Sequence, residues 1–130
     1  MLWALLFAAV YLYLICPNLR GHRRERMRVF SRQYIAHRGL FDNAGSAPEN
    51  SLAAFRKAAD AGYGIELDVR LTKDGEVVVM HDEDLSRAAG SPQKVADSSY
   101  AELSSLRLFA SNEAPPRLAD VLTAIGGRVP

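Results

Sequence analysis

A chain of 130 residues is about one domain's worth, and 48% hydrophobic with 24% charged residues suits a globular protein. The charge is lopsided: residues 1–32 carry six Arg against one Glu, a net of +5, while residues 33–130 carry ten Lys plus Arg against fourteen Asp plus Glu, a net of −4. Such content excludes a disordered chain, one Cys excludes a disulfide framework or Cys-rich zinc site, and the only basic run, beside an apolar block, argues for a membrane flank and against nucleic-acid binding.

Residues Met1 to Cys16 contain no charged side chain. A bilayer core of about 30 Å takes about 20 helical residues, and about 17 at the usual minimum, so this run predicts a short transmembrane anchor over residues 1–16. The arginines after it place the remainder on the cytoplasmic side, with export as the alternative. They follow the apolar run instead of preceding it, and bulky Ile15 precedes Cys16, which argues against a cleaved signal or a lipoprotein. Residues 17–32 then form a basic juxtamembrane linker in which His22 is solvated, and folding begins near Gln33.

The first strand spans Gln33 to His37 and runs through Arg38-Gly39 into a Gly-, Asn- and Pro-rich loop up to Glu49, of the kind that carries function. Asn50 caps a helix whose apolar face is Leu52, Phe55 and Ala59, with Gly62 ending it. Gly64 to Leu71 alternates strictly, putting Ile65, Leu67, Val69 and Leu71 on one face and Glu66, Asp68 and Arg70 on the other. Asp74-Gly75 then signals a hairpin to Glu76–Asp82. A two-residue turn there makes partner numbers sum to 149, so that Asp68 faces His81; a parallel return is the alternative. Ser99 to Glu102 has capping-box spacing before a short helix through Leu106. Leu118, Val121, Leu122 and Ile125 mark another, stopped by Gly126-Gly127, and Arg128 to Pro130 approach a further strand. Strand-helix-strand order predicts an α/β protein.

Glu66 and Asp68, at i and i+2 on one strand, place two carboxylates about 7 Å apart on one side. They suit a hard cation such as Ca²⁺ or Mg²⁺, unless both are simply solvated. His37 and His81 each end an apolar strand, where α/β active sites form. With Arg38 they make a set suited to phosphodiester cleavage: a cation and Arg38 would neutralise phosphate oxygens, one imidazole would take a proton and the other would give one.

His37-Arg38-Gly39, Pro48-Glu49-Asn50-Ser51, Glu66-Leu67-Asp68-Val69, Lys73-Asp74-Gly75 and Val79-Met80-His81-Asp82 with Leu85 and Arg87 together resemble the motif series of the glycerophosphodiester phosphodiesterase family, in order and spacing. The resemblance implies the N-terminal portion of a (β/α)8 TIM-type barrel over residues 33–130, preceded by the transmembrane helix. It implies hydrolysis of glycerophosphodiesters to sn-glycerol 3-phosphate and an alcohol with Ca²⁺ or Mg²⁺. His37 and His81 correspond to the acid-base histidines, Arg38 to a phosphate contact, and Glu66 and Asp68 to metal ligands. Glu49 matches a position close to the metal, with stabilisation of the following helix as its alternative role.

The family's third metal carboxylate lies on the strand after the Leu118–Ile125 helix, beyond Pro130, and such a barrel takes about 250 residues. The 130 residues are therefore expected to be inactive alone. Two further readings are a related barrel phospholipase acting on phosphoinositide or sphingomyelin, and a non-catalytic membrane-bound interaction fragment. The alcohol group and oligomeric state are not encoded in these motifs.

Overall fold

The computed structural model describes residues 2–15, 27–28, 30–31 and 33–130. It divides into two compact units, Met1–Gln33 and Tyr34–Pro130. In the first, helix α1 (Leu2–Ile15) is apolar on every side and has 14 residues. At 1.5 Å per residue it is about 21 Å long, short of a bilayer core of about 30 Å. Among the described residues no helix is long and apolar enough to cross a membrane, so the transmembrane anchor expected over residues 1–16 is not supported there. Of the expected basic linker, only residues 27–28 and 30–31 are described; the rest of it, with His22, lies outside the described residues.

The second unit opens with a strand-helix-strand crossover: β1 (Ile35–His37), α2 (Leu52–Asp60) and β2 (Gly64–Glu66), with β1 and β2 parallel. Parallel neighbours require such a crossover, and a helix is its usual form. The α2 cap is Ser51, not the expected Asn50: its side chain accepts from Ala54 N–H. The Glu113 carboxylate takes the next free donor, Ala53 N–H, at 3.1 Å. At the far end of the unit, Ile65 N–H donates to the Pro130 carbonyl at 2.8 Å, so the last residues run along β2 as the sequence suggests.

The alternating run from Gly64 is two strands, not one. β3 (Val69–Leu71) leaves β2 at Leu67-Asp68 and pairs antiparallel with β4 (Val77–Val79). Val69 and Leu71 are exposed, so the apolar face of β2 stops at Leu67. Partner numbers sum to 148, one less than expected, because the turn has three residues: Thr72 pairs with Glu76, and Gly75, at φ 84°, lets the chain return. Asp68 therefore faces Met80, whose N–H bonds its carbonyl at 2.9 Å, and His81 moves one place beyond it.

Consecutive residues of β4 point to opposite sides and feed two cores. Val78 packs with Met80, Leu85, Val95, Leu103 and Leu108, while Val79 packs with Phe55, Val121 and Ile125. Around the first core lie β5 (Asp84–Leu85), α3 (Ser86–Ala89), β6 (Ser91–Lys94) and α4 (Tyr100–Ser104), the last opened by the full Ser99–Glu102 capping box. The second is closed by α5 (Leu118–Ile125), which Gly126 ends in the left-handed conformation.

Candidate active site

β1 and β2 end level, with His37 opposite Glu66, and His37 Nε2 lies 3.9 Å from Glu66 Oε2. The chain then turns sharply through Arg38 and Gly39, at φ 60° and 84°. Arg38 N–H donates to the Glu66 carbonyl at 3.0 Å, and its own carbonyl accepts from Asn50 N–H at 3.0 Å. Asn50 is left-handed too, at φ 56°, and buried. Two non-glycine residues in this region, bonded to each other, are strain of the kind that persists where the surroundings over-determine the backbone.

This turn aims the Arg38 side chain between two carboxylates. Its Nη1 donates to Glu49 Oε1 at 2.9 Å, and its Nε stands 3.5 Å from Asp68 Oδ2, which also accepts from Asn50 Nδ2 at 3.2 Å. Arg38 Nε and Asn50 Oδ1 are buried without a hydrogen-bond partner. The Nη2 of the same guanidinium, which makes no hydrogen bond among the described residues, has the chemistry to take a phosphate oxygen beside the ends of the two parallel strands.

Glu49 is buried and its carboxylate is crowded with donors. Oε1 accepts from Arg38 and, at 2.6 Å, from Arg87 Nη2, and Oε2 accepts from Asn43 Nδ2 at 3.2 Å. Burial pushes the carboxyl up, but the hydrogen bonds from Arg87 and Asn43, the Arg87 charge and the Arg38 bond outweigh it and hold Glu49 below the usual range. The partners of Glu49 are thus two arginines and an asparagine, while the free donors at the α2 N-terminus bond Ser51 and Glu113.

His81 Nδ1 lies 2.6 Å from Asp82 Oδ1, and Arg87 Nε donates to Asp82 Oδ2 at 2.7 Å. The Arg87 hydrogen bond, followed by the His81 bond and both charges, overcomes burial and lowers the Asp82 pKa. Arg70 fastens the His81 backbone, donating from Nε and Nη2 to its carbonyl. No hydrogen bond or ion pair joins His81 to Glu66 or Asp68 among the described residues, so the expected facing of Asp68 and His81 is replaced by the His81–Asp82 pair. Asp82, Arg87 and Asn43 received no role from the sequence, and Asn50 only that of a helix cap, although the five-residue step from Asp82 to Arg87 was visible.

Because Glu49 and Asp82 are both held below their unfolded values, the unfolded chain binds more protons in acid. Stability is then fully present above the ordinary carboxylate range near pH 4 and is lost as pH falls through the lower folded values. Thermal midpoints are expected to drop steadily from about pH 5 to about pH 3, with a shallower slope for Glu49→Gln.

Glu66 Oε1 and Asp68 Oδ1 take no hydrogen bond from the described residues. These oxygens, with no thiolate nearby, suit a hard divalent cation. Among the described residues no three His, Cys, Asp or Glu side chains gather closely enough to hold a metal ion, so the set fits a cation in kind and supplies part of a shell.

Residues 37–127 match the family model described as the glycerophosphoryl diester phosphodiesterase family. The chain is 44% identical over 94 residues to the lysophospholipase D GDPD1 of Homo sapiens, covering 72% of this chain and 28% of that one. It is 41% identical over 102 residues to a glycerophosphodiester phosphodiesterase of Caldanaerobacter subterraneus, covering 72% and 40%. A phosphodiesterase structure from Oleispira antarctica, in complex with the product sn-glycerol-3-phosphate, superposes with a TM-score of 0.65 at 34% identity, covering 76% of this chain and 42% of that one. The chain thus spans less than half the length of these relatives, and a partial α/β barrel fits its strand order. With the family model, the sequence relatives and the fold in agreement, the chain belongs to the glycerophosphoryl diester phosphodiesterase family.

Proposed function

We propose that these residues form the phosphate-binding and acid-base part of an enzyme that hydrolyses glycerophosphodiesters to sn-glycerol 3-phosphate and an alcohol. The observation that carries this reading is the strained Arg38 turn, which places the guanidinium between Glu49 and Asp68 with its Nη2 donors unused by the described residues, at the level where His37 meets Glu66. Arg38 holds a non-bridging phosphate oxygen. One of His37 and His81 takes a proton from the attacking water as its oxygen bonds phosphorus, and the other gives a proton to the leaving alkoxide as its bond to phosphorus breaks. Glu66 and Asp68 would hold a divalent cation, which supplies positive charge to the phosphate oxygens.

Two carboxylates give an incomplete shell, so the 130 residues alone bind a cation weakly and do not turn over. Calorimetric titration with Ca²⁺ or Mg²⁺ is expected to give a Kd of about millimolar, weakened at least about tenfold in Asp68→Asn. Glycerophosphocholine and a lysophospholipid, the latter chosen from the name of the Homo sapiens relative, should release no glycerol 3-phosphate or choline with the 130-residue chain. Robust hydrolysis would overturn the incompleteness, and an unchanged titration in Asp68→Asn would overturn the cation assignment.

For localisation, the proposal is that the all-round apolar α1 helix holds the chain to a membrane and that the arginine-rich stretch after it favours the anionic cytoplasmic face, so that residues 33–130 lie on the cytoplasmic side.

A further inference from the structure

The contacts around Glu49 form one continuous chain of charged hydrogen bonds: His81 to Asp82, Asp82 to Arg87, Arg87 to Glu49 and Glu49 to Arg38, at 2.6, 2.7, 2.6 and 2.9 Å. Its middle link is Arg87, on the four-residue helix α3. Three surfaces hold that guanidinium. Nε grips Asp82, Nη2 grips Glu49, and the Phe109 ring lies over it with its centroid 5.4 Å from the guanidinium carbon. Phe109 and Ala110 take φ 48° and 59°, a second patch of non-glycine strain, located where the ring meets the arginine. Glu49, the anchor, is itself buried and held by Arg38 and Asn43.

The geometry points to Arg87 as a positioning residue for His81: anchored on Glu49, it fixes the Asp82 carboxylate so that Asp82 Oδ1 accepts the Nδ1–H of His81 and the ring keeps Nε2 as its proton-exchanging nitrogen. An ionised carboxylate only accepts, so the 2.6 Å contact requires the proton on Nδ1. Arginine suits the link because its planar fork grips two carboxylates at once, which a lysine ammonium does not reproduce. The same chain makes Glu49 the common support of Arg38 and, through Arg87, of His81, so the phosphate contact and one proton-transfer group share a mounting. This assignment rests on the phosphodiesterase reading for its purpose, but the tautomer is measured without substrate or cation, so the two can fail separately.

The test is ring-nitrogen NMR of the 130-residue chain labelled with ¹⁵N-histidine, with His81 identified by loss of its signals in His81→Gln and spectra taken where the imidazole is neutral. The wild-type ring is expected to favour Nδ1–H over Nε2–H by about ten to one. Arg87→Gln should lower that ratio at least about fivefold and Arg87→Lys by less, with the His37 ratio unchanged. A packing role alone would lower thermal stability and leave the ratio at its wild-type value. A wild-type ring dominated by Nε2–H overturns the proposal whatever the variants do. So does an unchanged ratio in Arg87→Gln. If Arg87→Gln loses its folded amide dispersion, Arg87→Lys decides: a wild-type ratio there overturns the assignment, and a reduced one supports it.

Discussion

Arg38→Met is expected to destabilise the Tyr34–Pro130 unit by about 3 kcal/mol, the low end for breaking a buried ion pair from one side. The figure is large because Arg38 and Glu49 have side chains only 16% and 8% exposed, so solvent cannot replace the lost partner. It sits at the low end because Arg87 and Asn43 still hold the Glu49 carboxylate. In a unit of this size the thermal midpoint should fall by more than about 10 °C. If Arg38→Met melts within about 2 °C of wild type, the buried pair contributes little and the support assigned to Glu49 is wrong.

Gly39→Ala is expected to cost about as much, for a different reason. Gly39 sits at φ 84°, and a Cβ built there meets the Ala54 backbone carbon and the Ala54 Cβ at 2.9 Å. Both belong to Ala54, buried in the first turn of α2, where nothing flexible can move aside, and Leu40 N–H already bonds the Ala54 carbonyl at 3.1 Å. Left-handed strain of about 1–2 kcal/mol adds to overpacking of about 1–3 kcal/mol. Gly75→Ala is the control, since Gly75 has the same φ of 84° but nothing within 4 Å of its Cβ position. It should lose only the strain. Chemical denaturation of both variants separates the two effects: equal losses would mean that the contact with α2 is not tight, and the Arg38 turn would then lack the packing proposed to hold it.

The parts of this structure that were legible in the sequence depend on local patterns. The Ser99–Glu102 box and the Leu118–Ile125 helix with its glycine stop follow from spacing within about ten residues, and the β1–α2–β2 crossover follows from the order of three such local patterns. His37, Arg38, Glu66 and Asp68 were legible as chemistry because strand ends are where such groups gather. The hairpin register slipped by one because Asp74-Gly75 marks a turn without fixing whether it holds two residues or three, and one residue moves every partner. The break at Leu67-Asp68 was hidden because alternation continues through Leu71 although its second half faces solvent. The set of partners around Glu49 could not be read locally at all. It includes Arg38, 11 residues away, and Arg87, 38 residues away, and the Phe109 ring that steadies Arg87 arrives from a 3-10 turn with left-handed backbone, for which the sequence carries no glycine signal.

The most direct test of the account is titration of the ¹⁵N-labelled 130-residue chain with sn-glycerol 3-phosphate, in wild type and Arg38→Met, with sulfate as the control anion. The account predicts saturable shifts centred on Arg38, Gly39 and the His37 ring, larger with glycerol 3-phosphate than with sulfate, and their loss in an Arg38→Met chain that still shows folded amide dispersion. Shifts scattered over residues away from this turn, or shifts at the turn that persist without the Arg38 guanidinium, would contradict it.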